Sequence, residues 1–235
     1  EDGIVKNTGY DKTSVRLNLD TKVFSWADLQ LSMNYVTSTS DRGFFNNDNT
    51  STTLGVSFVS TPAWADLFPD AKGNCPNNGF APSNFLQTRD LVTNNEKVNR
   101  LLGGGIGTFR LWNNDNNGLS LYVRGGVDQY TLETRSIFPR ELQFQKDGNG
   151  TNGASIRSVA VSRGANVAAF LIHTLSTDND LSFRSQAGVT QENLEQDYTN
   201  AVATQLIGAQ TNLNQAGSIQ VNQNRLEQVD KGFFV

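Results

Sequence analysis

Leu119-Ser120-Leu121-Tyr122-Val123-Arg124-Gly125-Gly126-Val127-Asp128 alternates apolar and polar residues with period two. Leu119, Leu121, Val123 and Val127 fall on one side, and Ser120, Tyr122, Arg124, Asp128 and Tyr130 on the other. That period belongs to a β-strand with one apolar and one wet face. The stretch before it answers in kind. From Val98 to Trp112, Leu101, Phe109 and Leu111 oppose Arg100, Thr108 and Arg110. Between the two runs lies Asn113-Asn114-Asp115-Asn116-Asn117-Gly118, a tight polar turn that makes them a hairpin.

The pattern repeats on both sides. Val15, Leu17 and Leu19 oppose Ser14, Arg16, Asn18 and Asp20, and Leu29, Leu31, Met33 and Tyr35 oppose Gln30, Ser32 and Asn34. A connection over 21–28 joins these runs as a first hairpin. A third pair spans Ser158 to Leu175, apolar on both faces near its end, and a return in which Leu181, Phe183, Ala187 and Val189 oppose Ser182, Arg184, Gln186 and Thr190. Its turn is read at Ser176-Thr177-Asp178-Asn179-Asp180. Long polar stretches separate the pairs, over 38–97, 134–157 and 197–228. The first holds four of the five prolines and the only cysteine, Cys75, with a short local element expected around 53–60. A last apolar segment, 232–235, breaks off in mid-pattern. The expectation is six strands and part of a seventh.

Composition agrees. With 27 asparagines and 21 glycines, the chain is poor in helix formers and rich in turn formers. Nineteen basic against 23 acidic residues give a net charge of -4, without the basic surface of a nucleic-acid binder. The longest apolar run is Val167 to Ile172, far short of the roughly 20 residues of a membrane helix. Neither this nor the 37% apolar content excludes a membrane barrel, where only alternate residues need be apolar. The first residues read as no signal peptide.

Two features favour a barrel. The expected strands exceed the roughly 5–6 residues of ordinary globular strands. Connections alternate short and long, as when periplasmic turns and extracellular loops occupy opposite ends of a barrel. Trp26 and Trp112 sit beside short turns, where an aromatic girdle would mark the periplasmic interface. The competing fold is a secreted β-sandwich whose apolar faces meet in a core.

Signatures of chemistry are weak. Gly103-Gly104-Gly105-Ile106-Gly107 lacks the Gly-Lys-Ser/Thr of a phosphate loop and reads as strand glycines. Asn113-x-Asp115-x-Asn117-Gly118 opens like a calcium loop, but its twelfth position is Arg124. The one histidine, His173, reads as structural. No nucleophile motif, metal set or cofactor fingerprint is present, so the expectation is a non-enzyme without cofactor or metal.

Asp2-Gly3-Ile4, then Tyr10, then Arg16-Leu17-Asn18-Leu19-Asp20 resembles the SusC/RagA-like TonB-dependent outer-membrane transporters. Val98-Asn99-Arg100, Arg124 to Asp128 with Tyr130, Phe138-Pro139 and Lys231-Gly232-Phe233-Phe234 extend the likeness in order along the chain. The resemblance implies an all-β fold, with 1–235 an internal segment of one large transmembrane β-barrel whose plug domain lies outside this sequence. It implies import of a bulky nutrient, oligosaccharide or peptide, across a Gram-negative outer membrane. TonB, acting through a region outside this chain, a SusD-like surface lipoprotein and outer-membrane lipid would be the partners. Arg16, Asn18, Gln30, Asn34, Arg110, Arg124, Asp128, Arg184, Gln186 and Thr190 would face the lumen, to line a solute path or touch the plug. Phe44, Phe45, Trp64, Phe68, Phe80 and Phe85 are too many aromatics for spacer loops. A small loop core is expected of them first, then contact with partner or solute. Two alternatives stand beside this reading: a secreted sandwich or adhesin binding glycans through those aromatics, and a transporter-like barrel serving as scaffold in a surface protein-assembly complex.

Overall fold

A computed structural model describes residues 1–45, 50–146, 150–177 and 181–235. Seven strands form one antiparallel sheet in chain order: β1 Gly9–Phe24, β2 Ala27–Asp41, β3 Thr93–Asn113, β4 Asn117–Phe138, β5 Ala154–Ser176, β6 Ser182–Leu206 and β7 Ala216–Phe234. The competing sandwich does not form, because among the described residues every strand belongs to this one sheet.

The strands outrun the apolar pattern that reveals them. The first turn shrinks to residues 25–26, and the last long connection to 207–215. The stretch 197–228, expected to be loop, is mostly strand. Its apolar residues, among them Ala201 to Ala203, Ile219, Val221 and Leu226, are too scattered to sustain a period along its length, while the backbone ladder continues from Gly188↔Phe234 to Leu206↔Ala216. The turn at 113–118 forms as expected, closed by the Asn114 amide donating to the Asn117 carbonyl (2.8 Å). Residues 178–180 of the turn read at 176–180 lie outside the described residues.

Paired residues of antiparallel strands point the same way, so the register assigns faces. One face carries Val15, Leu17 and Leu19 of β1, Leu29 to Tyr35 of β2, Leu121 to Val127 of β4, and Val189 and Phe233 of β6 and β7. Most of these side chains are exposed, Leu17 at 61% and Val189 at 58%, while Leu29, Leu121 and Val123 are half-buried. Leu111 departs from its expected face. A bulge between Arg110 and Trp112 makes it the extra residue, and Trp112 takes its place opposite Leu119.

The apolar face is a band. It spans eight residue steps from Ala27 to Tyr35, from Leu119 to Val127 and from Leu181, just before β6, to Val189, each roughly 27 Å along the chain. Its edge also slips across the sheet. Val15 aligns through Tyr35, Leu101, Gln129, Arg163 and Glu195 with Glu227, yet the edge on β7 lies six residues on, at Phe233. A slip of roughly 20 Å over six strand spacings of roughly 29 Å makes the strands tilt by about 35°. Tilt of that size is what closed barrels need, and it brings the band's height to roughly 22 Å, close to the 25 Å of an outer-membrane barrel.

The loop between β2 and β3 carries two helices, α1 Leu54–Val59 at the expected place and α2 Phe85–Leu91. Its core is built mainly from small polar residues: Thr53, Ser57, Asn78, Ser83, Asn84 and Thr88 are buried with Leu54, Leu67 and Ala81. Trp64 and Phe68 remain 77% and 71% exposed, so the loop core expected from aromatics is made of other residues.

Candidate functional site: the polar sheet face and its mouth

All ten polar-face candidates share one face of the sheet. Arg16 pairs with Asn34, which continues through Leu102 to Asp128. Gln30 leads through Ile106 and Arg124 to Ala168 and Thr190. Asn18 opposes Ser32, Arg110 opposes Ser120, Gln186 opposes Ile172, and Arg184 opposes Thr174. Two ion pairs brace this wall. Arg100 grips Asp128 with Nε at 2.9 Å and a second nitrogen at 2.5 Å. Arg110 pairs with Asp28 near the short turns. Asp128 is therefore committed to a neighbour, whereas Arg124 lies over the Phe170 ring, 5.8 Å from its centroid.

That ring belongs to a shelf that sequence reasoning noted only in part. Tyr122 stacks on Phe170 at 5.5 Å, and Phe234 tilts against it at 6.2 Å. Gly188 lies between them; a Cβ there would stand 2.5 Å from the Phe170 Cβ and 2.7 Å from the Phe234 ring. The double-sided apolar run of β5 was the available signal, since Ala168, Phe170 and Ile172 all fall on this otherwise polar face.

At the long-loop end the same face opens on a second aromatic group. Phe44 meets Phe138 edge-on at 5.1 Å and stacks on Phe144 at 6.1 Å. They line a cleft of about 600 Å³ with Thr50, Thr52, Pro82, Gln143 and Gln145. Phe45 is half exposed beside it. Trp64 and Phe80 form a separate outward pair at 5.1 Å. The loop aromatics thus divide into a cleft group and an outer group.

Side-chain amides hold the mouth. Gln143 Oε1 accepts from the Asn78 amide (2.7 Å) and its Nε2 donates to the Asn78 and Ala81 carbonyls. Gln87 returns the arrangement, accepting from the Gln143 amide and donating to the Glu141 carbonyl, both at 2.9 Å. Residues 139–146 are thereby fastened to the β2–β3 loop.

Trp26 and Trp112 take the short-turn end. Trp26 stacks on Phe24 at 5.3 Å and approaches Phe109 at 6.1 Å, and both tryptophans are half exposed. His173 Nε2 lies 2.6 Å from Asn117 Oδ1, a satisfied structural position. The glycine run sits within β3 as expected. A Cβ on Gly105 would meet the Leu31 side chain at 2.6 Å.

Cys75 is half-buried and free. Burial pushes its thiol up, and the Asp90 and Asp70 charges add to this. A raised pKa means less thiolate at a given pH. Alkylation at pH 8 should therefore run several-fold slower than that of glutathione, and a rate equal to glutathione's would contradict this placement.

No family model matches the chain, and neither does any curated protein. Solved structures do. A structure of the RagAB peptide transporter aligns with 95% of this chain at a TM-score of 0.65 and 14% identity. The RagAB peptide importer in an open-open state aligns with 96% at 0.65 and 16% identity, and in a closed-closed state with 96% at 0.58 and 15% identity. This chain spans 25% of the length of each matched chain. At such identity the likeness establishes the fold: a run of adjacent strands from a large antiparallel barrel, long loops at one end and short turns at the other.

Proposed function

We propose that the chain is an internal part of the barrel of a SusC-like, TonB-dependent transporter in a Gram-negative outer membrane, importing a bulky nutrient, peptide or oligosaccharide. The observation that carries this reading is the tilted apolar band. Its height and the strand tilt match a bilayer-spanning barrel wall, on a sheet whose solved counterparts are peptide transporters. The band faces lipid, the Trp26–Trp112 end is periplasmic, and the loops are extracellular. The outer edges of β1 and β7 are paired by further strands of the same barrel, because open edges are not viable in lipid. The polar face then lines the lumen. Solute enters at the Phe44–Phe138–Phe144 cleft, and the Tyr122–Phe170–Phe234 shelf with Arg124 seats a plug or a passing solute. The outer aromatics Trp64, Phe68 and Phe80 suit contact with a SusD-like lipoprotein. No covalent step is required.

The test uses the native protein. It should fractionate with the outer membrane, copurify with a surface lipoprotein, and support growth on peptides or oligosaccharides only when TonB is present. A soluble fraction, or uptake indifferent to TonB loss, would refute the reading.

A further inference from the structure

Above the band, the outward wall carries two kinds of charge. On β5 to β7 the arginines sit among carboxylates: Arg163 pairs with Glu195, and Arg225 with Glu195, Glu227 and, at 3.8 Å, Asp197, while Lys231, just above Phe233, has no ion pair among the described residues. On β3 and β4, Lys97 and Arg135 point outward, exposed, with no ion pair or hydrogen bond among the described residues, and Arg157 of β5 beside them holds Glu133 at 3.5 Å. The connection 207–215 folds over this wall. Ser155, 3% exposed, donates to the Thr211 carbonyl at 2.8 Å, and its cross-strand neighbours Ile137 and Ala203 are buried. Between ledge and wall lies a cleft of about 680 Å³, where Lys97, Arg135 and Arg157 face the amides of Asn212 and Asn214. Three carboxylates also line it: Asp41 and Glu133 point outward with the cations, whereas Glu96 belongs to the opposite face and is held by Arg42 at 2.9 Å, so the cations exceed the outward carboxylates by one.

We infer that this cleft binds the phosphorylated sugar headgroup of a glycolipid in the surrounding outer leaflet. The inference rests on the membrane reading above. Height selects the occupant. Lys97 stands four residues above the band edge at Leu101, and Arg135 and Arg157 stand eight beyond Val127 and Ala165. At a 35° tilt these are roughly 11 and 22 Å above the hydrocarbon. A phospholipid headgroup layer is only about 5–8 Å deep, so ordinary phospholipid falls short. A saccharide headgroup reaches, with phosphates for the cations and hydroxyls for Asn212 and Asn214.

The test reconstitutes the full native protein in phospholipid nanodiscs, with lipopolysaccharide bearing a phosphorylated inner core as probe, and counts bound glycolipid by native mass spectrometry. K97A/R135A/R157A should lower binding at least about tenfold, each cation near an anionic surface contributing about that much or somewhat less. N212D/N214D, which adds charge without removing the cations, should also weaken it. K22Q, at the opposite end of β1, should not. Equal binding by wild type and triple variant, or no binding by wild type inserted in the disc, would overturn the site while leaving the transporter reading intact. Failure of wild type to insert at all would overturn both.

Discussion

Leu31→Arg should abolish assembly of the barrel, while Ser32→Arg, one residue away, leaves it nearly unchanged. Leu31 sits at mid-height of the band, between Ala27 and Tyr35, and is 45% exposed. Ser32 belongs to the opposite face, opposite Asn18 and Gly104. If the band faces hydrocarbon, an arginine at its midplane costs about 2–4 kcal/mol, whereas one on the lumen face stays hydrated. The loss compares with a large fraction of the stability of an ordinary domain. The measurement is the heat-modifiable gel shift of the native protein, with its yield in the outer-membrane fraction. Equal behaviour of the two variants would refute the face assignment.

Asn84→Ala should unfold the β2–β3 loop without disturbing the sheet. Asn84 is fully buried. Its Oδ1 caps α2 by accepting from the Leu86 and Gln87 amides at 3.0 and 3.2 Å, and its Nδ2 donates to the Leu67 and Pro76 carbonyls at 3.0 and 2.8 Å. One side chain thus joins three segments of a loop that has little apolar core to fall back on. Removing the cap costs about 1 kcal/mol, and each buried partner left unpaired adds about 1–3. A total of about 3 kcal/mol or more exceeds what so small a unit is expected to hold in reserve. Limited proteolysis should cut the variant within 42–92 on the intact barrel at least a hundredfold faster than wild type. Resistance equal to wild type would show that Asn84 is not the organising contact.

The legible part of this molecule is the band in which each strand carries one apolar and one polar face. Val15–Leu17–Leu19 and Leu121–Val123–Val127 alternate with polar neighbours, and this alone orders the hairpins and groups the ten polar candidates on one face of the sheet. Beyond the band that contrast fades. Ile219 and Val221 alternate with Gln220 and Asn222, but so short a run does not announce the whole of β7, which forms through backbone pairing with β6. Leu111 misleads for a different reason: a bulge changes parity, and no single residue announces it. The mouth was illegible because its order lies in amide pairs far apart in sequence, Gln143 with Asn78 and Gln87 with residue 141. Trp64 and Phe68 stay exposed, while asparagines and glutamines hold the loops together.

The Gln87–Gln143 clasp changes what meeting a solute would require. Two long connections that could have fluctuated independently form one body, so the entropy of ordering them is lost during folding and not at each encounter. Capture at the Phe44 cleft would then proceed with little reorganisation, at a rate set by diffusion and orientation. Slow steps would belong to whatever moves as a whole above or below it. The expected kinetic signature is a single-phase association that scales linearly with solute concentration and shows no plateau from loop closure.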